Sequence, residues 1–198
     1  MDEPQKILEV SILLAGTPIP KVIENFGHYG EQISTLLQNA IHSSKQKLSL
    51  RIRNYDVVNM EFPEEKDLLE TNGIIITGSA SSAYEDVPWI NRLVDFTKLV
   101  IDKHQHIKLI GVCFGHQIVA RAVGFTPKSP IQGMIKGNQI LTVQGHPEFV
   151  SGVVKLMTYD RLDKGIFAPE FAHTALEAAD DKDDGLLIGQ RFIEFMTG

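Results

Sequence analysis

The segment Lys108–Val123, KLIGVCFGHQIVARAV, carries Cys113, the chain's single cysteine, between an apolar run and a helical pattern. A strand that turns sharply into a helix leaves almost no room around the turning residue. Gly111 and Gly115 flank that residue here, which is the logic of a nucleophile elbow, G-x-nucleophile-x-G. Such a turn exposes the sulfur at the carboxyl edge of a sheet. It also sets the thiol at a helix N-terminus, whose partial positive charge favours thiolate. A free cysteine is more often a small buried hydrophobe, but the flanking glycines and the strand-to-helix switch reverse that expectation. A thiol nucleophile also needs an imidazole to take its proton and a third group to hold the imidazole. LTVQGHPEF at 141–149 supplies both in His146 and Glu148. Two residues apart in an extended segment, they point to the same side, and Pro147 stiffens the spacing. Alone, H-P-E is weak; with the elbow it is a specific signal.

Other reactive side chains have plainer readings. His116 follows Cys113 by three positions on a similar helix face. His104 and His106 sit near a helix end, and His28, His42 and His173 have no clustered ligands, so no metal site is expected. One cysteine rules out a disulfide framework and a multi-cysteine zinc or iron–sulfur centre. Ser79, Ser81 and Ser82 follow Gly78, but no G-x-x-x-x-G-K-[ST] pattern makes a phosphate cradle there. Asp86 and Trp89 are expected to order that loop and start its helix.

These groups must be held by an α/β scaffold. Ile7–Ala15 is an almost continuous apolar run, as in a strand buried on both faces. Gly73–Thr77 and Lys108–Val112 read as short buried strands, Leu48–Tyr55 as a strand nearer an edge, and Gln139–Gln144 as a further strand. Helical spacing marks His28–His42, Trp89–Lys103, Phe114–Val123, Glu148–Leu162 and Gly185–Met196. DDKDD at 180–184 reads as a solvated loop with helix-entry carboxylates. The pattern predicts an open, mostly parallel sheet with helices on both faces, whose ligands bind outside the carboxyl ends of the strands.

The 198 residues, 43% hydrophobic and 22% charged, suit one domain over 1–198. A net charge of −6 gives no footprint for general nucleic-acid binding. No apolar run reaches the roughly 20 residues of a membrane span. The opening MDEPQKILEV lacks a secretory pattern, so a reduced compartment, cytoplasmic or nuclear, is expected.

GVCFGHQ at 111–117 and QGHPEF at 144–149 resemble the nucleophile and G/F-H-P-E motifs of the class I (triad) glutamine amidotransferases. IITGSASSAY at 75–84 is similar to that family's third-strand loop. GTPIP…FGHYGEQISTLL is similar to stand-alone GMP-synthase-like and γ-glutamyl peptidase-like members. The resemblance implies a flavodoxin-like sheet and no cofactor. It implies that Cys113 attacks the γ-amide of glutamine or of a γ-glutamyl compound, forming a thioester. His146 would serve as base and then acid, oriented by Glu148. The backbone N–H groups of Gly78 and Phe114 would hold the oxyanion, at roughly 3–4 kcal/mol per donor, and Gln117 would contact the substrate. For Gln117 the plain alternative is a helix side chain bonded to a neighbouring loop. Released ammonia would pass to a synthetase in trans, or the enzyme would simply hydrolyse γ-glutamyl bonds.

One departure stands out. Cys113 and His146 are separated by only 33 positions, fewer than the resembled family uses. A block of several strands is therefore expected to be missing between about Thr126 and Ile131, exposing strand edges. The competing expectation is an impaired relative that binds without turnover. A third reading, a cysteine hydrolase with an elbow cysteine on a related sheet, lacks an explanation for the GHPE segment.

Overall fold

The computed structural model describes residues 6–44, 47–125 and 131–198. Strand β1 (Lys6–Leu14) runs between β2 (Leu48–Asp56) and β3 (Gly73–Ile76), and β3 continues to β4 (Lys108–Val112), then β6 (Ile140–Val143) and β5 (Gly133–Lys136). All neighbours are parallel except the β5–β6 pair. The open, mostly parallel sheet is thus as the residue pattern predicts, and β2 does lie at an edge.

Period-two alternation explains why helices cover both faces. In β3, Ile74 and Ile76 enter one apolar cluster while Ile75 enters the other; in β4, Leu109 and Ile110 divide in the same way. The first cluster is completed by α4 (Pro88–Lys103) and α5 (Phe114–Ala122) through Leu93, Phe96, Ile118 and Val119. The second is completed by α2 (Tyr29–Ser44) and α8 (Gly185–Thr197) through Ile33, Leu37, Phe192 and Ile193. Residues of both clusters sit at or near zero exposure. Strands so enclosed read as unbroken apolar runs, which is why β1 and β3 were legible.

Three helices escape a periodicity reading. Helix α1 (Pro20–Phe26) and α3 (Glu65–Glu70) are too short to show a repeat, and α7 (Pro169–Ala178) buries only Ala172. Their ends carry the signal instead: proline opens α1 and α7, and Glu64 with Asp67 forms a reciprocal cap on α3. The helix expected from Glu148 starts later, as α6 (Ser151–Asp163). The reason is local, because Phe149 N–H turns back to the His146 carbonyl and Val150 is extended. In the acidic loop before α8, Asp183 Oδ1 accepts the Gly185 N–H at 2.7 Å, a helix-entry carboxylate as expected.

The interval expected to lack a block of strands, about 126–131, falls almost wholly outside the described residues. Beyond it the chain forms the hairpin β5–β6, turned at Gly137 with φ 57°. Strand β5 is the sheet's outer edge, and Ile135 on it is 73% exposed. Among the described residues no helix is long and apolar enough to cross a membrane.

Candidate active site

Cys113 occupies the step between β4 and α5 with φ 53° and ψ −103°. A non-glycine residue held there costs on the order of 1–3 kcal/mol and persists only where its surroundings impose it. Here the surroundings are close packing: a Cβ on Gly115 would run into the Ile76 carbonyl, and one on Gly111 would lie 2.6 Å from the Gly115 carbonyl oxygen. Helix α5 therefore rides directly on β3 and β4, and the chain must turn abruptly at Cys113. The Cys113 N–H is taken by the Val143 carbonyl at 2.9 Å.

Register brings the second motif to the first. Strands β4 and β6 pair with Val112 opposite Val143, so one residue further Cys113 and Gln144 emerge side by side. Two more residues bring His146, whose ring lies against Gly78 at the end of β3. A Cβ on Gly78 would be 2.5 Å from the imidazole Cε1. His146 Nδ1 pairs with Glu148 Oε1 at 2.8 Å, and the Glu148 side chain is 1% exposed. A carboxylate on Nδ1 holds the proton there and turns Nε2 to the sulfur.

The charges follow from these contacts. Burial alone would push the Cys113 thiol up, but hydrogen bonding and charge from His146, the Phe114 N–H and Gln144 together hold it below its ordinary value. Burial would push His146 down; its bonds to Cys113 and Glu148 outweigh this and raise it to about 9. Both shifts run in the direction of a thiolate–imidazolium pair.

All the predicted site residues converge. Cys113, His146 and Glu148 interact directly, Gly78 backs the imidazole, and the Phe114 N–H points at the sulfur. Gln117 Nε2 donates to Gln144 Oε1 at 3.2 Å. Gln144 in turn donates Nε2 to Cys113 Sγ at 3.4 Å. His116 faces away and is buried, with Nδ1 2.7 Å from Thr142 Oγ1. His104 is buried within 3.5 Å of Glu65, His106 lies on the Leu68 carbonyl, and His28, His42 and His173 are exposed. Ser79 and Ser82 accept backbone N–H groups of their own loop, and Asp86 accepts from Asn91 at the start of α4. Among the described residues no cluster of three or more candidate ligands could hold a metal ion.

Gln144, Phe149 and Tyr29 were not singled out from sequence. Phe149 stacks on the His146 ring at 4.1 Å and 8°, and Tyr29 stacks more loosely on Phe149 at 6.4 Å. Burial raises the Tyr29 hydroxyl, and the charges of Glu148 and Cys113 add to the effect. Gln144 and Phe149 flank the H-P-E motif itself, which was the available signal. For Tyr29 only its place in FGHYGEQ pointed there. Two cavities adjoin the site: one of about 380 Å³ bordered by His146, Phe149 and Asp181, and one of about 460 Å³ behind Glu148.

The sequence profile described as glutamine amidotransferase class-I matches residues 29–128, just over half of the chain and including the Cys113 elbow. The chain belongs to the class-I glutamine amidotransferase family. A glutamine amidotransferase-like protein of Schizosaccharomyces pombe is 28% identical over 242 aligned positions, covering 94% of this chain and 98% of its own length. That alignment is longer than this chain, so the yeast protein carries segments with no counterpart here. γ-Glutamyl peptidase 4 of Arabidopsis thaliana is 33% identical over 117 residues, covering 59% of this chain but only 41% of the peptidase. A solved glutamine amidotransferase from Thermotoga maritima superimposes with a TM-score of 0.65 over 96% of this chain and 99% of its own, at 15% identity. That likeness shows the shared amidotransferase fold.

Proposed function

We propose that this class-I amidotransferase domain is a thiol-dependent amidase that hydrolyses the γ-amide of glutamine or of a γ-glutamyl compound. The observation that carries the reading is the contact of Cys113 with His146, itself fixed by Glu148, at the carboxyl edge of the sheet. Family membership and the likeness to a γ-glutamyl peptidase support an amidohydrolase activity in general.

In this reading the Cys113 thiolate attacks the substrate's Cδ carbonyl, and the negative charge moves to the carbonyl oxygen. The N–H groups of Gly78 and Phe114 receive it. His146 gives its Nε2 proton to the departing nitrogen, so that ammonia or an amine leaves and a γ-glutamyl thioester remains. His146, now neutral, takes a proton from water as the water attacks the thioester. Glutamate leaves, and the thiolate–imidazolium pair is restored. The ammonia is released to water or taken up by a separate synthetase.

The short interval between Cys113 and His146 favours the competing reading, a relative that binds glutamine compounds without turnover. Labelling with a glutamine-analogue diazo-ketone, followed by peptide mass spectrometry, separates the two. Covalent modification of Cys113, with γ-glutamyl turnover abolished in Cys113→Ser, is the expected result. A protein that melts cooperatively but shows neither labelling nor turnover would sink the proposal.

A further inference from the structure

We infer that Gln144 is a thiolate-holding residue for Cys113 and that Gln117 is a positioning residue acting through it. The inference deepens the reading of Cys113 as a nucleophile and rests on it. Its basis is a continuous hydrogen-bond relay: Gln117 Nε2 donates to Gln144 Oε1 at 3.2 Å, and Gln144 Nε2 donates to Cys113 Sγ at 3.4 Å.

The relay has a direction. A carboxamide presents an acceptor on one side and donors on the other. With Gln144 Oε1 occupied by the Gln117 donor, its NH₂ group is turned to the sulfur. Rotating the Gln144 amide alone would set donor against donor at Gln117 and oxygen against thiolate. The backbone supports the same arrangement. Gln144 N–H donates to the Gln132 carbonyl at 2.9 Å, and the β4–β6 register sets Gln144 beside Cys113. Gln117 lies one helical turn from Cys113, its N–H on the Cys113 carbonyl at 3.2 Å. The sulfur thus receives a donor from its own helix start, the Phe114 N–H, and another from the adjacent strand. His146 is then not the sole group that favours the anion, and Gln117 has one of its two side-chain N–H donors on Gln144.

Because Cys113 is the only cysteine, whole-protein alkylation by iodoacetamide reports this site alone. The pH midpoint of that rate is measured for the wild type, Gln144→Leu, Gln144→Met, Gln117→Leu and the double variant Gln117→Leu/Gln144→Leu. Loss of one donor to the sulfur should raise the midpoint in Gln144→Leu by about one pH unit, or about tenfold less thiolate at a fixed lower pH, equivalent to about 1.4 kcal/mol. Gln144→Met, close in length but without a donor, should reproduce the shift and covers the case in which the leucine variant does not fold. Gln117→Leu should shift the midpoint less, in the same direction, and the double variant no further than Gln144→Leu. Midpoints equal to wild type with only a lowered melting temperature would overturn the inference, as would additive shifts. The assay needs no substrate. Shifted midpoints without γ-glutamyl turnover would leave the relay standing and remove the amidase, whereas turnover with unshifted midpoints would do the reverse.

Discussion

Adding one methyl group at Gly78 and at Gly115 should damage different properties. At Gly78 the new carbon would lie 2.5 Å from His146 Cε1 and 3.5 Å from both ring nitrogens. Ordinary contact requires about 3.4–4 Å, so the imidazole must move by about 1 Å, a displacement that can cost on the order of 10²-fold in rate. It can move, because the His146 side chain is 26% exposed and can swing toward solvent at little cost to the fold. At Gly115 the clash is with the Ile76 carbonyl, a backbone group in the fully buried strand β3. Neither partner can yield, and overpacking of this kind costs about 3 kcal/mol or more. The assays are turnover of a γ-glutamyl amide, the pH midpoint of Cys113 alkylation, and thermal unfolding by circular dichroism. Gly78→Ala should lose about 10²-fold in kcat/KM and raise the alkylation midpoint, with its melting temperature within a few degrees of wild type. Gly115→Ala should melt many degrees lower. A Gly78→Ala protein with wild-type turnover and an unmoved midpoint would refute the claim that the imidazole must rest on this backbone.

Other outcomes follow from the same contacts. Turnover should trace a bell in pH: it rises as Cys113 loses its proton, below the ordinary thiol value, and falls near pH 9 as His146 loses the proton needed by the leaving group; a rate still climbing well past pH 9 would contradict this. For stability, the raised His146 contributes fully below its unfolded value of 6.5 and loses that contribution as pH rises through about 9. Denaturant midpoints of wild type and His146→Ala, compared at pH 6 and pH 10, check that sign. Glu148→Gln removes the carboxylate that accepts from the imidazole at 2.8 Å and should cut kcat/KM by about 10²- to 10⁴-fold, and at pH 7 it should also lower the melting temperature, since the imidazolium loses a partner that raises its pKa. Phe149→Leu removes the ring stacked at 4.1 Å on His146; stacking of a cation on an aromatic face is worth about 0.5–1 kcal/mol at a partly exposed site, so the alkaline limb should move down and the rate fall several-fold.

Much of this was legible because it is local. Continuous apolar runs identify strands enclosed on both faces, and β1, β3 and β4 appear where such runs occur. The elbow was readable because a strand, a cysteine, closely placed glycines and a helical repeat are adjacent in the chain. Elements with few buried residues were not readable. Helix α7 buries one side chain, and the start of α6 is delayed because the Phe149 N–H turns back to the His146 carbonyl and Val150 is extended.

By itself the sequence determined which residues could do chemistry: one thiol at a strand-to-helix turn, and an imidazole and a carboxylate two residues apart. It did not determine their meeting. Parallel pairing of β4 with β6, in a register that no local preference sets, carries His146 over Gly78 and aligns Gln144 with Cys113. The tertiary structure also decided what Gln117 touches. A side-chain amide bonds to whatever donor or acceptor packing brings within reach, and here that is Gln144 rather than open solvent. Residue type and spacing are local quantities; strand register and the partner of a side-chain amide are long-range ones, and the state of the sulfur depends on both.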